Sequence, residues 1–144
     1  MNTIKYFLIF LLSITSFIGF SQSVEGIWET YYEGTDKIKS DVKVYTKDGK
    51  LYAKIIKFYN MSEAEKNAKC LKCTDYRKNQ PIVGMVFMNG LVQSDDEWEG
   101  DAVLLDPNNG KEYDGLVWLV NENKLAVRGY LGWLYETKYW KRKS

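Results

Sequence analysis

Histidine is absent from this sequence of 144 residues, and cysteine and proline occur only twice each. Histidine is the usual general base of enzymes that work near neutral pH and a frequent zinc ligand. Its absence excludes Ser–His–Asp and Cys–His catalytic sets. Two cysteines alone cannot complete the four-ligand set of a structural zinc site. We therefore predict no catalytic residues, no metal site and no cofactor, while an enzyme based on carboxylates or on the cysteine pair stays as an alternative.

An excess of charge of either sign is also lacking, with 20 lysines and arginines against 19 aspartates and glutamates. Proteins that bind nucleic acid present a basic face, so we expect no nucleic-acid partner. The densest run of acids lies at residues 95–101 and matches no calcium-loop spacing. We interpret it as a solvated loop with a charged strand start. No feature of the sequence indicates the oligomeric state.

Long apolar runs are lacking except near the amino terminus, where residues 6–20 are interrupted only by serine and threonine. Lys5 precedes this run, and Gly19 and Ser21 place small side chains at the spacing of a cleavage site. The run is shorter than the about 20 apolar residues of a membrane-spanning helix, and no cysteine for a lipid anchor lies nearby. We predict a cleaved signal peptide over residues 1–21. The mature domain, residues 22–144, is then periplasmic or secreted and does not span the membrane.

Short apolar runs separated by turn residues make up most of the remaining chain, most clearly over residues 98–133. Runs of this length rich in valine, leucine, tryptophan and tyrosine are typical of antiparallel strands. Asp48-Gly49 indicates a tight hairpin because both positions tolerate positive φ. The predicted strands cover residues 24–32, 41–47, 50–59, 82–88, 98–105, 111–120, 124–131 and 134–142, with a loop at 89–97.

One segment, residues 61–80, departs from this pattern. Ser62 has an acid three positions later, which is typical of a helix amino terminus. About eight strands with short turns predict an all-β, antiparallel up-and-down barrel with a short helical excursion between the third and fourth strands. A sandwich is the alternative. An eight-stranded barrel is either filled by its side chains or holds one small ligand.

Cys70 and Cys73 lie within this excursion and have three interpretations. As a metal site the pair is incomplete. As a redox motif it lacks the βαβ context and the helix amino terminus that activate a thiol. As a disulfide it fits an oxidising compartment, and a loop this short adds about 2 kcal/mol to the free energy of unfolding. We favour the disulfide.

Arg128 interrupts an apolar strand, where a charge is costly unless it faces solvent or is paired. If it points into a hollow barrel, Arg128 with Tyr130 and Tyr113 could bind a carboxylate or phosphate of a ligand. Strand alternation places Leu125 and Val127 on the opposite, more apolar face, which favours an outward Arg128. Its direction is left open by the sequence.

Motifs spread over nearly the whole mature chain resemble a known family. They are Gly26-x-Trp28, Cys70-x-x-Cys73, Pro81-x-x-Gly84, Trp98-x-Gly100, Asp106-Pro107-x-x-Gly110-Lys111-x-Tyr113 and Val127-Arg128-Gly129-Tyr130-x-Gly132. In this order they resemble the bacterial domain of unknown function 2147. Asp101 stands where that family usually has a second glycine. The resemblance implies an extracytoplasmic, lipocalin-like β-barrel and brings no established activity.

Gly26-x-Trp28 also resembles the lipocalin signature, in which the tryptophan closes one barrel end beneath an arginine of the last strand. Arg142 is the best-placed partner for Trp28 here. The alternative is a core tryptophan with a solvated Arg142. From these features we predict a binding module for a small, partly apolar ligand. The alternatives are an envelope interaction or structural protein with a filled barrel, and a cysteine-pair or carboxylate enzyme.

Overall fold

The computed structural model describes residues 22–144, and the predicted signal peptide lies outside them. Eight strands and one short helix follow one another along the chain. They are β1 (Gly26–Tyr31), β2 (Ile38–Lys47), β3 (Lys50–Phe58), α1 (Glu63–Lys66), β4 (Val86–Ser94), β5 (Glu97–Asp106), β6 (Lys111–Asn121), β7 (Lys124–Leu131) and β8 (Leu134–Arg142). Each strand pairs antiparallel with the next, and β8 returns to β1 to close the barrel. The predicted up-and-down barrel is confirmed.

Turn chemistry explains the tight hairpins of this barrel. Asp48 and Gly49 between β2 and β3 have φ of 51° and 75°, the left-handed geometry of a two-residue turn. Asp95, at φ 53°, begins the equally short turn between β4 and β5. Between Gly100 and Leu104 the register of β5 shifts, and the positive φ of 52° falls on Ala102. The N–H of Ala102 donates to the Asp114 carboxylate at 2.9 Å, which holds this irregular segment.

The fourth strand is where the prediction was wrong. Residues 82–85 lie in a loop, and β4 continues through most of the predicted loop over 89–97. Gly90, at φ 80°, is an extra residue between Asn89 and Leu91 in the pairing with β3, so it forms a β-bulge rather than a turn. Leu91 is fully buried beyond the bulge.

The barrel interior is filled in its lower half, the end that carries the β2–β3 turn and the end of β8. The fully buried side chains here come from most of the strands. They are Trp28, Val42, Val44, Leu51, Met88, Leu91, Val117 and Leu125. Removing this much apolar surface from water is the main stabilising contribution to the fold.

The excursion between β3 and β4 packs against the upper end of the barrel. Helix α1 begins with a capping box, in which the Ser62 hydroxyl accepts from the Glu65 N–H and the Glu65 carboxylate accepts from the Ser62 N–H. This is the predicted helical turn. Within residues 22–144, no helix has the length and apolar character needed to cross a bilayer.

Candidate functional site

A cavity of about 990 Å³ occupies the upper half of the barrel. Its inner wall is apolar and is built from side chains that alternate with outward residues along their strands. This wall is formed by Val42, Ile55, Leu104, Val127 and Trp140. Gly129 on β7 also lines the cavity, and a Cβ added there would stand 3.8 Å from Leu104, an ordinary contact distance. The absence of a side chain at Gly129 therefore leaves open volume.

Polar groups lie above this apolar wall. The Thr30 and Ser40 hydroxyls are 2.6 Å apart and hydrogen-bonded to each other, with Ser40 buried. The Tyr113 hydroxyl accepts from the Asn109 side-chain amide at 2.9 Å. The cavity thus combines an apolar floor with hydroxyl groups nearer its mouth, the pattern of sites that orient a partly apolar molecule.

Two charged side chains of β8 point into the cavity. Trp140 faces the core opposite Leu125, so strand alternation turns Glu136 and Lys138 to the same inner side. Their charged atoms are 3.6 Å apart, and the side chains are 63% and 59% exposed. An ion pair this open to water is weak. Both groups are therefore available to a ligand.

The wall of the barrel is incomplete beside these charges. Within the described residues, β1 and β8 pair only at Trp28↔Arg142 and Glu29↔Lys141, near the lower end. In contrast, β7 and β8 pair from Lys124↔Lys141 up to Leu131↔Leu134. We call the unpaired upper part, between residues 30–31 and 134–139, the β1–β8 slot. Residues of both strands that border the slot line the cavity.

Arg142 and Trp28 are in contact at the lower end of the barrel. The guanidinium carbon lies 4.3 Å from the centre of the indole ring. Its three nitrogens donate to the carbonyls of Ser23, Glu25 and Glu122 at 2.6–2.8 Å. A Cβ on Gly26 would stand 2.8 Å from the Arg142 Nη1 and would displace this guanidinium, and the φ of 141° at Gly26 is one that other residues rarely adopt. The two residues that the sequence paired are therefore in contact across this end.

The three predicted ligand-binding residues do not form one site. Tyr113 and Tyr130 border the cavity, whereas Arg128 lies on the outer face of β7. There its guanidinium stacks between the rings of Trp118 and Tyr135, at 5.0 and 4.3 Å, and its Nε donates to the Thr137 hydroxyl at 2.7 Å. A ligand inside the barrel cannot reach Arg128 in this arrangement.

Cys70 and Cys73 form a disulfide, as expected, and both are buried. The disulfide loop packs against the β5–β6 turn at Gly110, where an added Cβ would stand 1.9 Å from the Lys72 carbonyl oxygen. Gly110 has φ 71° as well. Close approach and backbone geometry both require glycine at this position.

Arg77 is a buried charge that the sequence did not single out. It is 3% exposed, donates to the Val86 carbonyl at 3.1 Å and forms salt bridges to Asp75 and Glu112. Hydrogen bonds from Arg77 hold the pKa of the Asp75 carboxyl below its usual range. Arg77 thereby fastens the excursion to β4 and β6, beside the cavity mouth.

A second polar cluster that the sequence did not indicate lies on the outer wall. The Lys143 ammonium donates to the Asp41 carboxylate at 2.5 Å and to the Tyr59 hydroxyl at 2.9 Å. The hydrogen bond to Asp41 raises the pKa of Lys143. These contacts to β2 and to the end of β3, with the hydrogen bond from the Lys143 N–H to the Ile27 carbonyl of β1, hold the carboxyl-terminal residues against the outer wall. Across residues 22–144, no group of three Cys, Asp or Glu side chains is placed to hold a metal ion.

The profile of a bacterial family, described as uncharacterized proteins conserved in bacteria (DUF2147), matches residues 26–142. The chain belongs to this family. No protein of curated function matches this DUF2147 member in sequence. In it, two of the motif glycines have direct structural reasons, since Gly26 admits Arg142 and Gly110 admits the disulfide loop.

A solved structure shares the fold of this DUF2147 protein. It is protein HP1028 from the human pathogen Helicobacter pylori, described as belonging to the lipocalin family. The two structures superpose with a TM-score of 0.69 at 23% sequence identity, over 85% of this chain and 84% of that chain. At this identity the likeness concerns the fold alone, which is lipocalin-like.

Proposed function

We propose that this DUF2147 protein is an extracytoplasmic binding protein that holds one small, partly apolar ligand in the upper cavity. The observation that carries the proposal is the cavity itself. Its volume of about 990 Å³ lies at the upper end of the about 300–1,000 Å³ typical of ligand sites. Apolar side chains form its floor, and hydroxyl and charged groups lie nearer the mouth. A molecule with an apolar body and a polar end would satisfy both regions.

The disulfide supports the proposed compartment. Disulfides persist in oxidising surroundings such as the periplasm or the cell exterior. The Cys70–Cys73 bond agrees with the signal peptide predicted over residues 1–21. The burial of both sulfur-bearing residues also argues against a redox enzyme, since exchange requires access of an attacking thiolate to the disulfide.

The proposal is tested by titrating the protein with N-phenylnaphthylamine, an apolar dye that becomes fluorescent in apolar surroundings. The chain offers a matched pair of variants at Gly129. Gly129→Ala adds a Cβ that meets only ordinary contacts, whereas Gly129→Phe extends a ring into the cavity. We expect wild type and Gly129→Ala to bind the dye alike. Gly129→Phe should weaken binding by about tenfold or more, which corresponds to about 1.4 kcal/mol.

The outcome separates this proposal from an interaction protein without a ligand. That second candidate is favoured by the β7–β8 turn, where Leu131, Trp133 and Leu134 are 65%, 88% and 53% exposed. Clustered exposed apolar side chains mark interaction surfaces. Equal dye affinity in wild type and Gly129→Phe would place the dye outside the cavity. That result, or no binding by wild type, would favour the interaction protein.

A further inference from the structure

The upper edge of β8 presents backbone hydrogen-bonding groups toward the β1–β8 slot. The Lys143 N–H donates to the Ile27 carbonyl on β1 at 2.9 Å. In a strand, successive residues direct their backbone groups to opposite edges. The N–H and C=O groups of Tyr135, Thr137 and Tyr139 therefore share the β1 side with Lys143. Within the described residues, β1 pairs with none of these three residues.

An unpaired strand edge is a template for another extended chain. This edge has the cavity directly behind it, because Leu134, Glu136 and Lys138 alternate with the edge-facing residues and line the cavity. An added strand would direct every second side chain inward, toward the apolar floor. Its backbone groups would meet those of Tyr135, Thr137 and Tyr139.

We propose that the ligand is an extended peptide segment that adds to the upper edge of β8 as an antiparallel strand, with alternate apolar side chains in the cavity. The inference rests on the proposed function, since it takes the cavity as the binding site and names the ligand class. In strand addition, main-chain hydrogen bonds supply affinity and pockets for alternate side chains supply specificity.

The charges on β8 favour a peptide over a second copy of this chain as the occupant. Inward-pointing charges on an edge strand discourage pairing between the edges of two large sheets. A second barrel on this edge would cover Glu136 and Lys138, which are largely exposed. A short peptide leaves the mouth open, so both charges stay hydrated or pair with polar groups of the peptide.

The test uses a fluorescein-labelled peptide of seven residues, blocked at both ends and alternating threonine with valine, with anisotropy as the measurement. The Thr137→Pro variant removes one edge-facing N–H, and proline is tolerated at a strand edge whose N–H is unpaired. Thr137→Ala is the matched control, because it also removes the hydroxyl that accepts from Arg128 but keeps the N–H. A second peptide is N-methylated at its threonines, whose N–H groups would face β8.

We expect wild type and Thr137→Ala to bind the peptide alike, and Thr137→Pro to bind about tenfold more weakly or worse. The N-methylated peptide should fail to bind wild type, and Thr137→Pro should keep the far-ultraviolet circular dichroism spectrum of Thr137→Ala, which shows an intact barrel. If wild type binds the dye but does not bind the peptide, this inference is overturned and the proposed function is not. If wild type binds neither the dye nor the peptide, the proposed function is overturned as well. The strand-addition inference would also be overturned if the peptide still bound after both Thr137→Pro and N-methylation. A wild-type dimer that Thr137→Pro dissociates would overturn it as well, because a second copy of the chain would then occupy the edge.

Discussion

Replacing Arg142 tests how the lower end of the barrel is closed. Arg142→Ala removes three hydrogen bonds of 2.6–2.8 Å to backbone carbonyls and the contact of the guanidinium with the Trp28 ring at 4.3 Å. Each hydrogen bond contributes about 0.5–1 kcal/mol net, and the cation–π contact about 0.5–2 kcal/mol. We expect the free energy of unfolding to fall by about 2–5 kcal/mol. The Tm should fall by about 10 °C.

Urea denaturation of four proteins separates the ring contact from the hydrogen bonds. They are wild type, Arg142→Ala, Trp28→Leu and the double variant. Trp28→Leu removes the indole but keeps an apolar side chain in the core, so the double-mutant cycle isolates the contact between the two residues. We expect a coupling energy of about 0.5–2 kcal/mol. Additive effects, or an unchanged Tm in Arg142→Ala, would refute the closing role of this pair.

Three further changes probe the excursion beside the cavity mouth. Gly110→Ala should lower the free energy of unfolding by about 1–3 kcal/mol, because its Cβ would collide with the backbone of the disulfide loop; equal urea midpoints would contradict that packing. The double change Cys70→Ala with Cys73→Ala should lower the free energy of unfolding by about 2 kcal/mol in the same assay. An unchanged free energy of unfolding would mean that the loop is ordered without the disulfide. The pKa of Asp75 is lowered by Arg77, so its stabilising contribution is present above the ordinary aspartate pKa and is lost as the pH falls through the folded value. Asp75→Asn should therefore reduce the loss of unfolding free energy as the pH falls. The same loss in wild type and Asp75→Asn would refute the stabilising role of the Asp75 carboxylate.

Local patterns were enough to predict most of the barrel. The bounds of β7 and β8 and the turn at Asp48-Gly49 follow from strand alternation and from the φ preferences of short turns. The error at β4 has a physical cause. Gly90 at positive φ serves equally in a turn or in a β-bulge, and only the partner strand decides which. Pairing with Leu51 keeps Leu91 in the core, so the chain continues as a strand.

The candidate site was much less predictable, because long-range pairing creates it. Glu136 and Lys138 face inward on β8, where a hydrophobic pattern would place apolar residues. They are tolerated because the slot leaves them in water. The slot depends on the position at which β1 and β8 cease to pair, which no local signal marks. Arg77 was missed for a similar reason, since its partner Glu112 is 35 residues away.

Native mass spectrometry of the protein expressed from its full sequence and purified from its own host tests the central claim most directly. Wild type and the variants Gly129→Ala and Gly129→Phe are compared under identical purification. If the upper cavity holds a small, partly apolar ligand, wild type and Gly129→Ala should carry one co-purified molecule each, and Gly129→Phe should carry none. Bare protein in all three preparations, or the same adduct on Gly129→Phe, would contradict the account.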